Sequence, residues 1–159
     1  MARQTPDGLI RVYWVTTLSS MTAPTLVQVA AGQPLHTFLA PAGISLPDEG
    51  SEADSSDLSS ERDKSVPSTV SGNPEGEFWR DDTADSAWTT LTRGATGYLV
   101  VALFGGTGTA GALAVPNPVD IWPARVSSRN LTRPARGEAL RFTAVFALSH
   151  APYYQIALA

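Results

Sequence analysis

Residues 76–105, GEFWRDDTADSAWTTLTRGATGYLVVALFG, decide the fold class, because they read in order as a strand, a short helix and a buried strand. Asp82 suits a helix N-cap, Asp85 would then stand at the third helical position where a carboxylate meets the positive end of the dipole, and Gly94 supplies a left-handed stop. Ala84, Ala87, Trp88 and Leu91 fall at i, i+3, i+4 and i+7, one apolar stripe for helix–sheet packing. A helix this short must dock on something. The partner is the run Tyr98 to Phe104, apolar on both alternating faces and so expected to be covered on both sides.

Working outward, Arg11 to Thr16 reads as a first strand. Pro24 to Ala31 fits one or two helical turns with Leu26, Val29 and Ala30 inward and Gly32 as the stop, or a strand through Leu26 to Val29. Pro41 to Gly50 is rich in turn formers. Gly50 to Ser65 is polar and Ser-rich, a composition that cannot support a core of its own and predicts a long loop ordered only by a neighbour. If Asp57 to Ser68 is extended, Ser59, Glu61, Asp63 and Ser65 share one face. Glu77 to Arg80 re-enters the sheet, and Val119 to Ser127 forms a strand in which Pro123, lacking an amide donor, marks an edge or a bulge. Leu140, Phe142, Ala144, Phe146 and Leu148 give the cleanest period of two, and Tyr153 to Leu158 adds a last short strand.

At 159 residues the chain is read as one domain, residues 1–159, able to bury roughly two-thirds of its unfolded surface. Cysteine is absent, which removes disulfides and thiolate chemistry. No signal peptide and no membrane anchor are expected, so synthesis in the cytoplasm follows. The net charge is −4, but Asp48, Glu49, Glu52, Asp54, Asp57, Glu61 and Asp63 crowd one stretch while Arg125, Arg129, Arg133, Arg136 and Arg141 crowd another. These are either two solvated surfaces or complementary patches that meet between subunits and fix register.

Chemistry-bearing motifs are few. Gly106 to Gly111, GTGTAG, matches a dinucleotide fingerprint literally, yet Pro116 and Pro118 forbid the helix that should follow and no acidic ribose partner stands about 20 residues on. His36 and His150 are distant in sequence and lack ligand spacing, so no catalytic triad, metal or other cofactor is expected. Asp81 and Asp82 could form an acid–base pair, but capping already accounts for them. Asn130-Leu131-Thr132 is a glycosylation acceptor only in an exported chain. The C-terminal arginines lack interleaved aromatics, and the sequence pI is about 5.0, which argues against a dedicated nucleic-acid binder.

Four stretches, TPDGLIRVYWV (Thr5 to Val15), RDDTADSAWTTLTRGATGYLVV (Arg80 to Val101), VDIWPARVSSR (Val119 to Arg129) and EALRFTAVFAL (Glu138 to Leu148), span nearly the whole chain. Together they resemble the tail tube proteins of long-tailed bacteriophages, particularly those infecting actinobacteria. The resemblance implies a mainly β fold, a β-sandwich or part-barrel flanked by one short helix and a long polar loop. It also implies a non-enzymatic virion subunit that forms stacked hexameric rings, conducts DNA in transit and meets a tape measure protein and a tail terminator. On that footing Asp48, Glu49, Glu52, Asp54, Asp57, Arg125 and Arg129 are candidates for the inter-ring contact, and Ser59, Glu61, Asp63 and Ser65 for the lumen. Alternatives are a tube subunit of a contractile tail or tailocin-like system, and a monomeric binding module using Trp14, Trp79, Trp88 and Trp122 as stacking platforms.

Overall fold

The computed structural model describes residues 8–54 and 65–159. In chain order the elements are β1 (Arg11–Val15), α1 (Leu26–Ala30), β2 (Gln33–Pro34), β3 (Leu39–Ser45), β4 (Glu49–Asp54), β5 (Ser65–Ser71), β6 (Glu75–Trp79), α2 (Ser86–Thr90), β7 (Thr96–Ala102), β8 (Pro118–Leu131), β9 (Arg141–Leu148) and β10 (Tyr153–Ala157). The fold is mainly β. An antiparallel sheet runs β2-β1-β7-β8-β9-β6-β3, with β10 added to β8, while β4 and β5 pair only with each other as a separate ribbon.

Alternation along β7 explains why the sheet carries a core on each face. Leu99 and Val101 point into a cluster with Val12, Trp14, Trp122, Phe142 and Phe146. Val100 and Ala102 point the other way, into a cluster with Val29, Val119, Ile121 and Leu158. Trp14 and Phe146 lie on β1 and β9, three strand spacings or roughly 14 Å apart in a flat sheet. Their ring centroids are 5.5 Å apart, so the sheet curls around the first cluster as a part-barrel. Leu103 and Phe104, expected in the buried strand, lie beyond its end and are exposed.

β8 is the longest strand, and it resolves the place of Pro123, which is neither at an edge nor in a bulge. β7 pairs along one side of β8; on the other side β10 pairs with residues 118–121 and β9 takes over from Ala124. The carbonyl of Pro123 accepts from the Ser149 amide at 3.0 Å. In a strand the N–H and C=O of one residue point to the same side, so the donor that proline lacks would have faced the seam between β9 and β10. The bulge lies further on, where the β8–β9 register shifts between Val126 and Ser128.

Several local expectations need correction. α2 begins at Ser86, later than the spacing suggests, because Asp81 rather than Asp82 organises the preceding turn: its Oδ1 accepts from the amides of Thr83 (2.8 Å) and Ala84 (3.3 Å). Asp85 is therefore the N-cap position, and Ala84 is exposed ahead of the helix. Ala87 and Leu91 are buried in the first cluster, and Trp88 packs half-buried against it. Gly94 has a φ of +89°, but it turns the chain toward β8, donating to the Val126 carbonyl at 2.8 Å, rather than ending the helix. The stretch Pro24 to Ala31 contains α1, a second short helix that Thr25 caps by accepting from the Gln28 amide; Val29 is buried there and Ala30 is not. Pro41 to Gly50, read as turns, contains most of β3. The polar stretch is partly ordered within the chain, since residues 49–54 and 65–71 pair as strands.

Two measurements test this packing. Phe146→Ala removes a fully buried ring and should cost about 3–5 kcal/mol in denaturant unfolding, whereas Val27→Ser, at a position 78% exposed, should change stability by under about 0.5 kcal/mol. Equal effects would mean the core is misplaced. The second concerns His36, which packs edge-on to Tyr13 at 5.2 Å and donates from Nδ1 to the Val12 carbonyl at 3.1 Å. Burial, reinforced by the Arg11 charge, holds its pKa below 6.5 against the opposing effect of that hydrogen bond. Its contribution to stability is therefore full above pH 6.5 and is lost as pH falls through the lower folded-state value. The melting temperature should fall more steeply from pH 7 to 5 in the wild type than in His36→Gln; parallel curves would remove His36 as the cause.

Candidate assembly surface

The described side chains of the ribbon β4–β5, those of Glu49, Gly50, Ser51, Glu52, Ala53 and Ser71, are exposed. Two-stranded hairpins are marginal in water without a surface to pack on. What the ribbon has is a tight root. A Cβ on Gly72 would stand 2.2 Å from the Pro47 carbonyl oxygen, so the two legs approach as only glycine permits. Asp48, the residue before β4, accepts a 2.5 Å hydrogen bond from the Tyr154 hydroxyl.

A β-bulge places that tyrosine. Between the pairs Tyr153↔Ile121 and Ile156↔Val119, Tyr154 and Gln155 stand opposite Asp120 alone. Gln155 takes a φ of +51°, and its amide donates to Asp120 Oδ1 at 2.8 Å. Tyr154 then lies edge-to-face on Trp122, with ring centroids 5.6 Å apart. Burial, then the hydrogen bond to Asp48 and the charges of Asp48 and Asp120, push the phenol pKa well above its usual value, so the hydroxyl keeps its proton. The C-terminal strand thus aims the ribbon.

The basic segment divides into spent and unspent charges. Arg129 donates to the Trp88 carbonyl and stacks its guanidinium 3.6 Å from the indole centroid. Arg80 lies 4.2 Å from the same ring and forms a short ion pair with Asp85 Oδ2. Trp88 in turn stands edge-on to Phe142 at 5.1 Å. Arg141 meets Glu77 and Glu138 at 3.4 and 3.5 Å. Arg125 is exposed and shares a cleft with Arg93.

Of the residues singled out for contact between rings, Asp48 is held by Tyr154 and Arg129 by Trp88, while Glu49, Glu52 and Arg125 face solvent. Asp54 ends β4. Asp57 and the lumen candidates Ser59, Glu61 and Asp63 lie outside the described residues; Ser65 opens β5. Tyr154, Gly72 and Arg93 were not signalled by sequence, and nothing in the C-terminal strand marked its bulge. Trp14 and Trp122 are buried, Trp79 is half-buried, and half-buried Trp88 carries the Arg80 and Arg129 guanidiniums on its ring. Among the described residues no group of three His, Cys, Asp or Glu could hold a metal, and no helix is long and apolar enough to cross a membrane. The GTGTAG segment forms a loop with one 3-10 turn, Thr109–Gly111, pinned by buried Asn117, whose Oδ1 accepts from the amides of Thr107 and Ala114.

Residues 1–159 match the family model described as phage tail tube protein. No curated protein matches the sequence. Among solved structures, one described as the tail of an empty GTA particle, computed with helical refinement in C6 symmetry, shares the fold at a TM-score of 0.55 and 14% identity, over 96% of this chain and 98% of that one.

The root of the ribbon supplies the prediction here. Tyr154→Phe removes the hydrogen bond to Asp48 while keeping the ring on Trp122, so amides of residues 49–53 should exchange with solvent faster while those of β7 and β8 keep their protection. Unchanged exchange in the ribbon would show that Tyr154 does not hold it.

Proposed function

The chain belongs to the phage tail tube protein family, and from that premise we propose that six copies close into a ring by pairing their sheet edges and that rings stack into the tail tube of a virion. The observation that carries this reading is the open sheet. Among the described residues its terminal strands, β2 and β3, each pair on one side only. An exposed edge is a template for another strand, and closing the sheet through neighbours removes it. Six-fold closure is supported by the C6 symmetry of the structurally similar particle tail. Exposed Val27, Phe104 and Val115 add apolar surface of the kind a subunit contact covers.

In this reading the role is structural, with no catalysed step, and the ribbon is the element that reaches the next subunit. DNA passes through the bore during ejection, and the tape measure protein and tail terminator meet the tube along its length and at its end. A net charge of −4 per copy suits a conduit. Attraction for phosphate is electrostatic and repeats along the duplex, so a bore with an acidic lining, to which Ser59, Glu61, Asp63 and Ser65 are assigned, does not hold the DNA back.

Concentration-dependent light scattering with negative-stain microscopy tests the proposal. Purified protein should form tubes whose end-on views have six-fold symmetry; a chain that stays monomeric at every concentration and salt, or rings of another order, would overturn it. Replacing residues 50–70 with a two-residue turn between Glu49 and Ser71 should leave a folded monomer with an unchanged melting temperature that no longer stacks. Tubes of normal length from that variant would remove the ribbon from the assembly.

A further inference from the structure

Two arginines outside every ion pair described above line one cleft. Arg93 and Arg125, with Gly94, Val126, Ser127 and Ala147, border a hollow of about 260 Å³. Among the described residues neither guanidinium has an ion pair or a hydrogen bond, whereas Arg11, Arg80, Arg129 and Arg141 are all engaged. The backbone beneath is fixed: Gly94 donates to the Val126 carbonyl and Val126 to the Ala95 carbonyl, each at 2.8 Å. Arg125 also lies over Gly94, where a Cβ would come within 3.4 Å of its Nη2. Two like charges bordering one cleft favour an anion between them.

We infer that this cleft receives the acidic ribbon of a neighbouring copy, an inference that rests on the assembly reading above. Exposed Glu49 and Glu52 of β4 are the complementary charges, and no ion pair engages them among the described residues. The ribbon cannot serve its own cleft. Its root lies by Leu148 and Trp122, which face the first core cluster. Arg125 and Ala147 sit at the alternate parity of the same two strands, paired with each other across β8 and β9, and so open on the opposite face of the sheet. Donor and acceptor on opposite faces make a heterologous contact, which propagates from copy to copy rather than closing a two-fold pair. DNA phosphate is the other anion of the same sign, but the neighbouring ribbon is present in fixed stoichiometry with every cleft.

The test is charge reversal in the full chain. Arg93→Glu with Arg125→Glu should abolish sedimentable tubes while leaving the melting temperature unchanged, Glu49→Arg with Glu52→Arg should do the same, and the four substitutions together should restore tubes. Double variants that assemble like wild type would overturn the inference while leaving the tube reading intact. Loss in both doubles without recovery in the combined variant would also overturn it, because the two sets would not be partners. Normal tubes from Arg93→Glu with Arg125→Glu, together with weakened binding of a short DNA duplex, would assign the cleft to phosphate instead. A wild-type chain that never assembles would fail at the earlier step and take this inference with it.

Discussion

Everything else in the molecule hangs on β8 pairing along both of its sides. β7 covers one side from Thr96 to Val101, and the other is shared end to end by β10 and β9. A strand that serves two successive partners has a point between them where an N–H on that side would find no acceptor. Pro123 stands there, so its missing N–H leaves no unsatisfied donor in the middle of a sheet. Because β8 carries Trp122, Ala124 and Val126 on one face and Val119 and Ile121 on the other, it also joins the two cores. Curvature of the sheet, the position of β10 and the root of the ribbon all follow from that arrangement.

Much of this was legible in the amino-acid sequence, because it lies in local periodicity. The period of two through Phe142, Ala144 and Phe146 and the unbroken apolar run of β7 are signals of burial on known faces, and both reach the expected clusters. What was misread depended on competition between near-equivalent side chains or on contacts distant in sequence. Asp81 and Asp82 are chemically identical capping candidates; the turn selects Asp81 because its Oδ1 reaches two amides. Pro123 can be assigned to an edge, a bulge or a seam only when the partners of β8 are known. The ribbon was hidden for another reason: the polar, Ser-rich composition of Gly50 to Ser65 offers no hydrophobic pattern to reveal a strand.

The candidate surface was partly legible as charge and illegible as geometry. Clustering of acidic and basic residues pointed to two patches, but not to which charges are committed inside the chain. Arg129 shows the difference. It sits in the basic segment by sequence, yet stacking on Trp88 and satisfying that residue's carbonyl makes it part of the anchoring of α2. A helix of five residues has little stability of its own, so guanidiniums against its indole and Phe142 beneath it do what length does elsewhere. Arg125, four positions earlier on β8 and exposed, has no such commitment.

An acidic ribbon without a core is a poor stabiliser of a monomer and a suitable connector for a polymer. Exposed ion pairs contribute only about 0–1 kcal/mol each, too little to hold two free copies together at the low concentrations of a newly made protein. Once a copy is already seated by sheet pairing, the same contact forms at high effective concentration and its weakness no longer matters. On the proposed reading, assembly depends on two conditions met together, edge closure and ribbon docking, rather than on one sticky surface.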